Sequence, residues 1–151
     1  MKEIKITAIV AWYPSTDYTN TREQRRETCT RRDQELSAVF TELLDESYLQ
    51  PPTLDMGSPY LSPAVASKDM LSGLPDNIIM YTCEWDMLLD EGERMKARLE
   101  DISKHVEYRM VPEVPHGWDK APNPIALTPG VREHYLEACR ELSRIFENSG
   151  P

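Results

Sequence analysis

Two short segments of the chain carry residue types suited to proton transfer. Cys83-Glu84-Trp85-Asp86-Met87-Leu88-Leu89-Asp90-Glu91-Gly92 is rich in carboxylates, and Val111-Pro112-Glu113-Val114-Pro115-His116-Gly117-Trp118 holds an imidazole between a proline and a glycine. A carboxylate that takes the Nδ1–H bond of an imidazole fixes its tautomer and stabilises it once protonated. Nε2 is then free to act as a general base. Asp86 and His116 are the candidate pair for this chemistry. Plainer roles stand beside it: Asp86 can cap the helix that follows, and Asp90 and Glu91 read as first-turn charges of that helix. His116 sits in a loop, which sets it apart from a core histidine, whereas His105 and His134 read as surface residues. Cys83 has the chemistry of a thiol nucleophile, yet buried strand cysteines are common and usually inert. Tyr13, Trp85 and Trp118 are candidates to line a substrate pocket, although core positions suit all three equally. Asp86, Asp90, His116 and Asp119 lack the tight ligand spacing of a metal site. No metal and no cofactor is expected.

Strands must position these two segments. Ile4, Ile6, Ala8, Ile9, Val10, Ala11 and Trp12 form a nearly continuous apolar run ending at Pro14, the pattern of a strand buried on both faces. Leu36, Val39, Phe40, Leu43 and Leu44 recur at helical spacing and predict a helix from about Asp33 to Leu49. Prolines and serines punctuate the stretch from Gln50 to Pro75, where Ser62-Pro63 reads as a helix start with serine as cap. Ile78 to Cys83 is the second strand, and a helix follows from about Asp90 with Met95, Ala97 and Leu99 inside it. A third strand runs from Val106 to Val111, then a loop from Pro112 to Pro129. The last helix carries Val131, Tyr135, Leu136, Cys139, Leu142, Ile145 and Phe146 on one face. Such alternation predicts an α/β fold of about three parallel strands with right-handed crossovers. In open parallel sheets ligands bind beyond the carboxyl ends of the strands. Both the Asp86 and the His116 segments leave from such ends.

Composition narrows the partners. A net charge of −9 over 151 residues argues against nucleic acid, which calls for clustered cations. Arg22, Arg25, Arg26, Arg31 and Arg32 do cluster, but Glu23, Glu27, Asp33 and Glu35 interleave with them, as on a solvated helix face. No apolar run approaches the roughly 20 residues of a membrane span, and the N-terminus lacks the apolar stretch of a signal peptide. Cys29, Cys83 and Cys139 are odd in number and widely spaced, which fits free thiols and a cytoplasmic setting.

The order strand, Glu84-Trp85-Asp86-Met87-Leu88-Leu89-Asp90-Glu91-Gly92-Glu93, helix, strand, Pro115-His116-Gly117-Trp118 resembles the hormone-sensitive-lipase branch of the α/β-hydrolases. Members of that branch typically show Tyr/Trp-Asp-Pro/Met-Leu-x-Asp-Glu-Gly followed by His-Gly-Phe/Trp. The resemblance implies that Asp86 is the catalytic acid and His116 the catalytic histidine of a carboxylesterase. Ala11-Trp12-Tyr13-Pro14 with Asp17 looks like the strand after the nucleophile helix, and Ser58-Pro59-Tyr60-Leu61-Ser62-Pro63 is similar to the family's Ser-Pro-x-x-Ser-Pro stretch. The wording from Pro115 to Pro122 looks most like fungal members. The likeness covers almost the whole chain, with residues 19–56 corresponding to a cap-like helical insert.

The departures are equally specific. The His-Gly-Gly-Gly motif and the Gly-x-Ser-x-Gly elbow, where the nucleophile sits on a strained strand-to-helix turn, are both absent. Ser58 follows Gly57 but precedes Pro59. The chain is expected to be the C-terminal portion of an α/β-hydrolase fold, a single truncated domain over 1–151 without the N-terminal half. Met1 and an end just beyond a full helix favour a deliberate unit over a random fragment. The bare edge of the strand at 4–12 calls for a partner strand, from a second copy or from an N-terminal hydrolase half.

Three functions remain open. The chain supplies the acid and base of an ester hydrolase whose serine lies elsewhere. It is a standalone enzyme whose His116–Asp86 pair performs a non-hydrolytic isomerisation, cyclisation or elimination on a small molecule. Or it is a remnant that only binds a ligand or partner, since fold does not fix function.

Overall fold

A computed structural model describes residues 5–120 and 128–149. Three strands, β1 (Ala8–Trp12), β2 (Asn77–Cys83) and β3 (His105–Val111), form a parallel sheet in the order β1-β2-β3. Ala8 pairs with Asn77, and Asn77 with His105, so the three strands start level with one another. β2 lies in the middle, and every residue from Ile78 to Cys83 is buried. Its alternate side chains serve opposite layers, as the two-residue period of a strand demands. Ile79, Tyr81 and Cys83 pack with Val131, Ala138 and Ile145 of α5 (Val131–Asn148). Ile78 and Met80 face the other way, onto Leu71 of α3 (Lys68–Ser72) and onto Met95 and Leu99 of α4 (Leu89–Glu100). An apolar run buried on both faces is thus matched by helices on both sides.

The first strand is shorter than its apolar run. Ile6 is exposed and precedes β1, while Ile4 lies outside the described residues. Among the described residues β1 has a strand neighbour on one side only.

Between β1 and β2 the chain makes a helical excursion: α1 (Arg22–Thr28), a 3-10 turn at Arg32–Gln34, and α2 (Ala38–Tyr48). α2 begins later than its apolar spacing suggests, because the Ser37 hydroxyl accepts from the Phe40 amide and sets the start there. Its apolar stripe is not core. Val39, Phe40, Leu43, Leu44 and Tyr48 are all exposed, and only Thr41 is buried. Ser62-Pro63 likewise opens a single 3-10 turn, Pro63–Val65, in place of a helix. Ser62 is consumed elsewhere: its hydroxyl donates to the Met56 carbonyl at 2.6 Å and accepts from the Tyr18 amide at 2.9 Å. The helix cap in this region is Ser67, at the head of α3.

Candidate active site

Asp86 and His116 meet because the loops that follow β2 and β3 are laced together. The Glu84 amide donates to the Val111 carbonyl at 3.0 Å and the Trp85 amide to the Val114 carbonyl at 3.1 Å, prolonging the ladder past the strand ends. Asp86 is then buried, and its two oxygens are divided. Oδ1 accepts from the Leu88 amide at 3.0 Å, and Oδ2 lies 2.7 Å from His116 Nδ1. Asp86 does not cap α4, whose N-cap position is Leu88 and carries no side-chain cap; its Oδ1 instead closes a tight turn onto the Leu88 amide while Oδ2 meets the imidazole. Gly117 follows the histidine at φ +70°, a conformation open to glycine without strain, and lets the chain turn back so that the Trp118 amide donates to Pro115. No described residue hydrogen-bonds Nε2.

His116 borders a cavity of about 420 Å³ at the carboxyl ends of the strands. Tyr13 and Trp85 line it, with Trp12, Tyr18, Leu44 and Tyr48 among its other walls. Trp118 does not line it. That side chain lies in the core beside Ile79 and Val111, edge-on to His134. Of the two readings open for Trp118, core is the one realised.

Cys83 is buried at the end of β2. Burial, followed by the negative charges of Asp86 and Asp119, pushes its thiol well above the ordinary range, so it stays protonated and is a poor nucleophile. The four residues weighed as metal ligands are engaged in three separate pairs. Asp90 pairs with Arg94, Asp119 with Lys120, and Asp86 with His116.

Glu91 lies in the first turn of α4, as its sequence position suggests, but it is not a solvated charge. It is buried, receives the Thr16 amide at 2.6 Å and the Asp17 amide at 3.3 Å, and stands 3.0 Å from the Nε of buried Arg25. Burial raises its carboxyl above the usual carboxylate range, opposed by the Arg25 charge and the two amides. The arginine cluster is correspondingly only partly a solvated face: Arg25 is buried and Arg22 and Arg26 are half-buried, while Arg31 and Arg32 are exposed. Arg22 forms a two-pronged pair with Asp45 of α2, Arg26 pairs with Glu35, and Arg31 stacks 4.7 Å over the Trp85 ring. These contacts hold the excursion of α1 and α2 over the cavity. Interleaved charge along the sequence concealed them, since a solvated helix shows the same pattern.

Known proteins share this fold. Residues 1–120 match the alpha/beta hydrolase fold family. Human hormone-sensitive lipase is 33% identical over 61 residues, which is 40% of this chain and 6% of the lipase. The mouse lipase is equally identical over the same length, and the chain spans 8% of it. Among solved structures, an esterase of the fungus Rhizomucor miehei superposes with a TM-score of 0.80 at 26% identity, over 96% of this chain and 44% of that one. An esterase of the archaeon Pyrobaculum calidifontis superposes with a TM-score of 0.67 at 28% identity, over 85% of this chain and 40% of its own. The chain therefore spans less than half the length of each of these relatives. With its parallel sheet, its strand-end loops and this family match, the chain belongs to the α/β-hydrolase-fold family, as a hormone-sensitive-lipase-like member.

Proposed function

We propose that the chain supplies the acid and the base of an acyl-transfer triad acting on carboxylic esters. Asp86 holds the tautomer of His116, and His116 Nε2 takes the hydroxyl proton of a serine that lies outside these 151 residues. The serine oxygen bonds to the acyl carbon, the imidazolium returns the proton to the departing alcohol, and water releases the acyl group by the same relay. Residues 19–56 serve as a cap over the acyl cavity, and the segment bearing the serine pairs along the edge of β1 away from β2. The observation that carries this reading is the 2.7 Å contact between His116 Nδ1 and buried Asp86, in a histidine that borders the cavity and whose Nε2 no described residue engages.

A second reading has support of its own. The cavity next to His116 is walled by residues of this chain, so a small molecule has a place to bind without the remainder of the fold. The His116–Asp86 pair would then act alone as a general acid and base, in a reaction with no serine ester intermediate.

One experiment separates the two. The chain is assayed with p-nitrophenyl esters and a serine-directed phosphonate, alone and fused behind a hydrolase half that carries a Gly-x-Ser-x-Gly elbow. The triad reading expects labelling and turnover only in the fusion, both lost in His116→Ala. Saturable ligand binding by the isolated chain, with a fusion that stays inert, would move the weight to the second reading. Inertness in every form would leave a binding remnant.

A further inference from the structure

A strained tyrosine and a second buried carboxylate stand beside His116 without a role so far. Tyr13 directly follows β1, and its amide donates to the Tyr81 carbonyl at 2.7 Å, so its backbone is anchored to the sheet. Its φ is +37°, in a region that residues other than glycine visit rarely and at a cost in free energy. That strain persists because the side chain is held at its far end. The Tyr13 hydroxyl donates to Asp119 Oδ1 at 2.6 Å, and the Asp119 side chain is wholly buried. Asp119 is itself fixed by the Tyr135 hydroxyl on Oδ2 and by Lys120 Nζ at 2.9 Å. Between its two anchors the Tyr13 ring meets the His116 ring edge-on, with centroids 4.5 Å apart and planes at 64°.

The hydrogen bond to Asp86 fixes one atom of the imidazole, Nδ1. A ring held at one atom can still swing about that contact. Tyr13 closes off this freedom from a direction that Asp86 does not control. We propose that Asp119 and Tyr13 are positioning residues for His116: Asp119 clamps the Tyr13 hydroxyl, and the clamped ring sets the imidazole plane so that Nε2 addresses the cavity. Asp119 acts only through Tyr13. The proposal deepens the Asp86–His116 reading, but its test observes the imidazole itself and requires no turnover.

The test is nitrogen-15 and proton NMR of the His116 ring in the intact chain. Tyr13→Phe keeps the aromatic ring and removes only the hydroxyl, and Asp119→Asn removes the acceptor charge. Both are expected to broaden the His116 ring signals or split them into two sets, reporting more than one ring orientation. Tyr135→Phe takes a different bond from Asp119 and leaves the Tyr13 hydroxyl bond in place, so its His116 signals should be disturbed less than those of Tyr13→Phe. If Asp119→Asn does not fold, Tyr13→Phe decides alone. A folded Tyr13→Phe whose His116 signals equal those of the wild type overturns the proposal, and so does a Tyr135→Phe that disturbs them as much as Tyr13→Phe does. A failure of the esterase reading would show instead as an inert fusion with the His116 ring still ordered.

Discussion

Gly92 of α4 lies directly against Thr82 of β2, so close that a methyl group at position 92 would stand 2.7 Å from Thr82 Cγ2. Thr82 has little room to give, since its hydroxyl is engaged at 2.7 Å with that of Tyr108. Gly92→Ala is therefore expected to destabilise the chain by about 1–2 kcal/mol, even though alanine is favoured over glycine in a helix by roughly 1 kcal/mol. Urea unfolding checks this. Thr82→Ser removes the obstructing methyl, so the double variant should recover most of the loss.

Breaking the buried pair of Arg25 and Glu91 should be costlier. Glu91→Gln leaves a guanidinium inside the protein without its counter-charge, a change typically worth about 3–5 kcal/mol. Replacing both residues, Arg25→Met with Glu91→Leu, removes both charges together and should cost less than the single variant. Denaturant unfolding of the three proteins gives the comparison. A single variant as stable as the wild type would show that α1 is not held to α4 through this pair.

Asp119 gives acid sensitivity a definite sign. Burial alone would raise its carboxyl, but the hydrogen bonds from Tyr13, Tyr135 and Lys120 outweigh burial and hold it below the ordinary range. A lowered folded-state value contributes stability that is present above the unfolded value of about 4 and is lost as pH falls through the folded one. Wild type should exceed Asp119→Asn by about 2 kcal/mol at neutral pH, with the gap closing toward pH 3. Unfolding curves at the two pH values test it.

If the chain completes a serine triad, Asp86→Asn in the fusion should lower kcat by about 10⁴-fold with folding intact, because the asparagine supports the wrong imidazole tautomer. A loss of less than tenfold, measured by single-turnover hydrolysis, would argue that Asp86 only braces the turn ahead of α4.

The exposed stripe of α2 and the edge of β1 that has no strand neighbour among the described residues are surfaces that soluble chains rarely leave bare. The isolated chain is expected to self-associate, with a solution mass above that of the monomer by light scattering. Phe40→Glu with Leu43→Glu should reduce that association. A strictly monomeric wild type would refute the expectation.

The most legible parts of the molecule were those governed by nearest neighbours. β2 declares itself because burial on both faces leaves no polar position from Ile78 to Met80. The meeting of Asp86 and His116 follows from parallel strands, whose ends lie side by side. Distant partners stayed hidden. Glu91 has the look of a first-turn charge, and only the fold brings Thr16, Asp17 and Arg25 to it. The spacing of α2 marked its apolar stripe correctly, but periodicity does not say whether anything covers a stripe. From the sequence Asp119 stands out only as one of four residues weighed for a metal site, because its partners Tyr13 and Tyr135 come from the first strand end and the last helix.

The register of the sheet has a consequence for how the chain assembles. Residue 77 pairs forward with residue 105 through one helix, but backward with residue 8 across the whole excursion of α1, α2 and α3. Closing the longer loop costs more chain entropy, so β2, α4 and β3 should zip together before β1 is recruited. Asp86 and His116 both belong to that early unit, while Tyr13, Tyr18 and Tyr48 arrive with the late one. In hydrogen exchange the β2–β3 amides should outlast those of β1, so that the acid and the base stay paired through excursions in which the cavity around them has come apart.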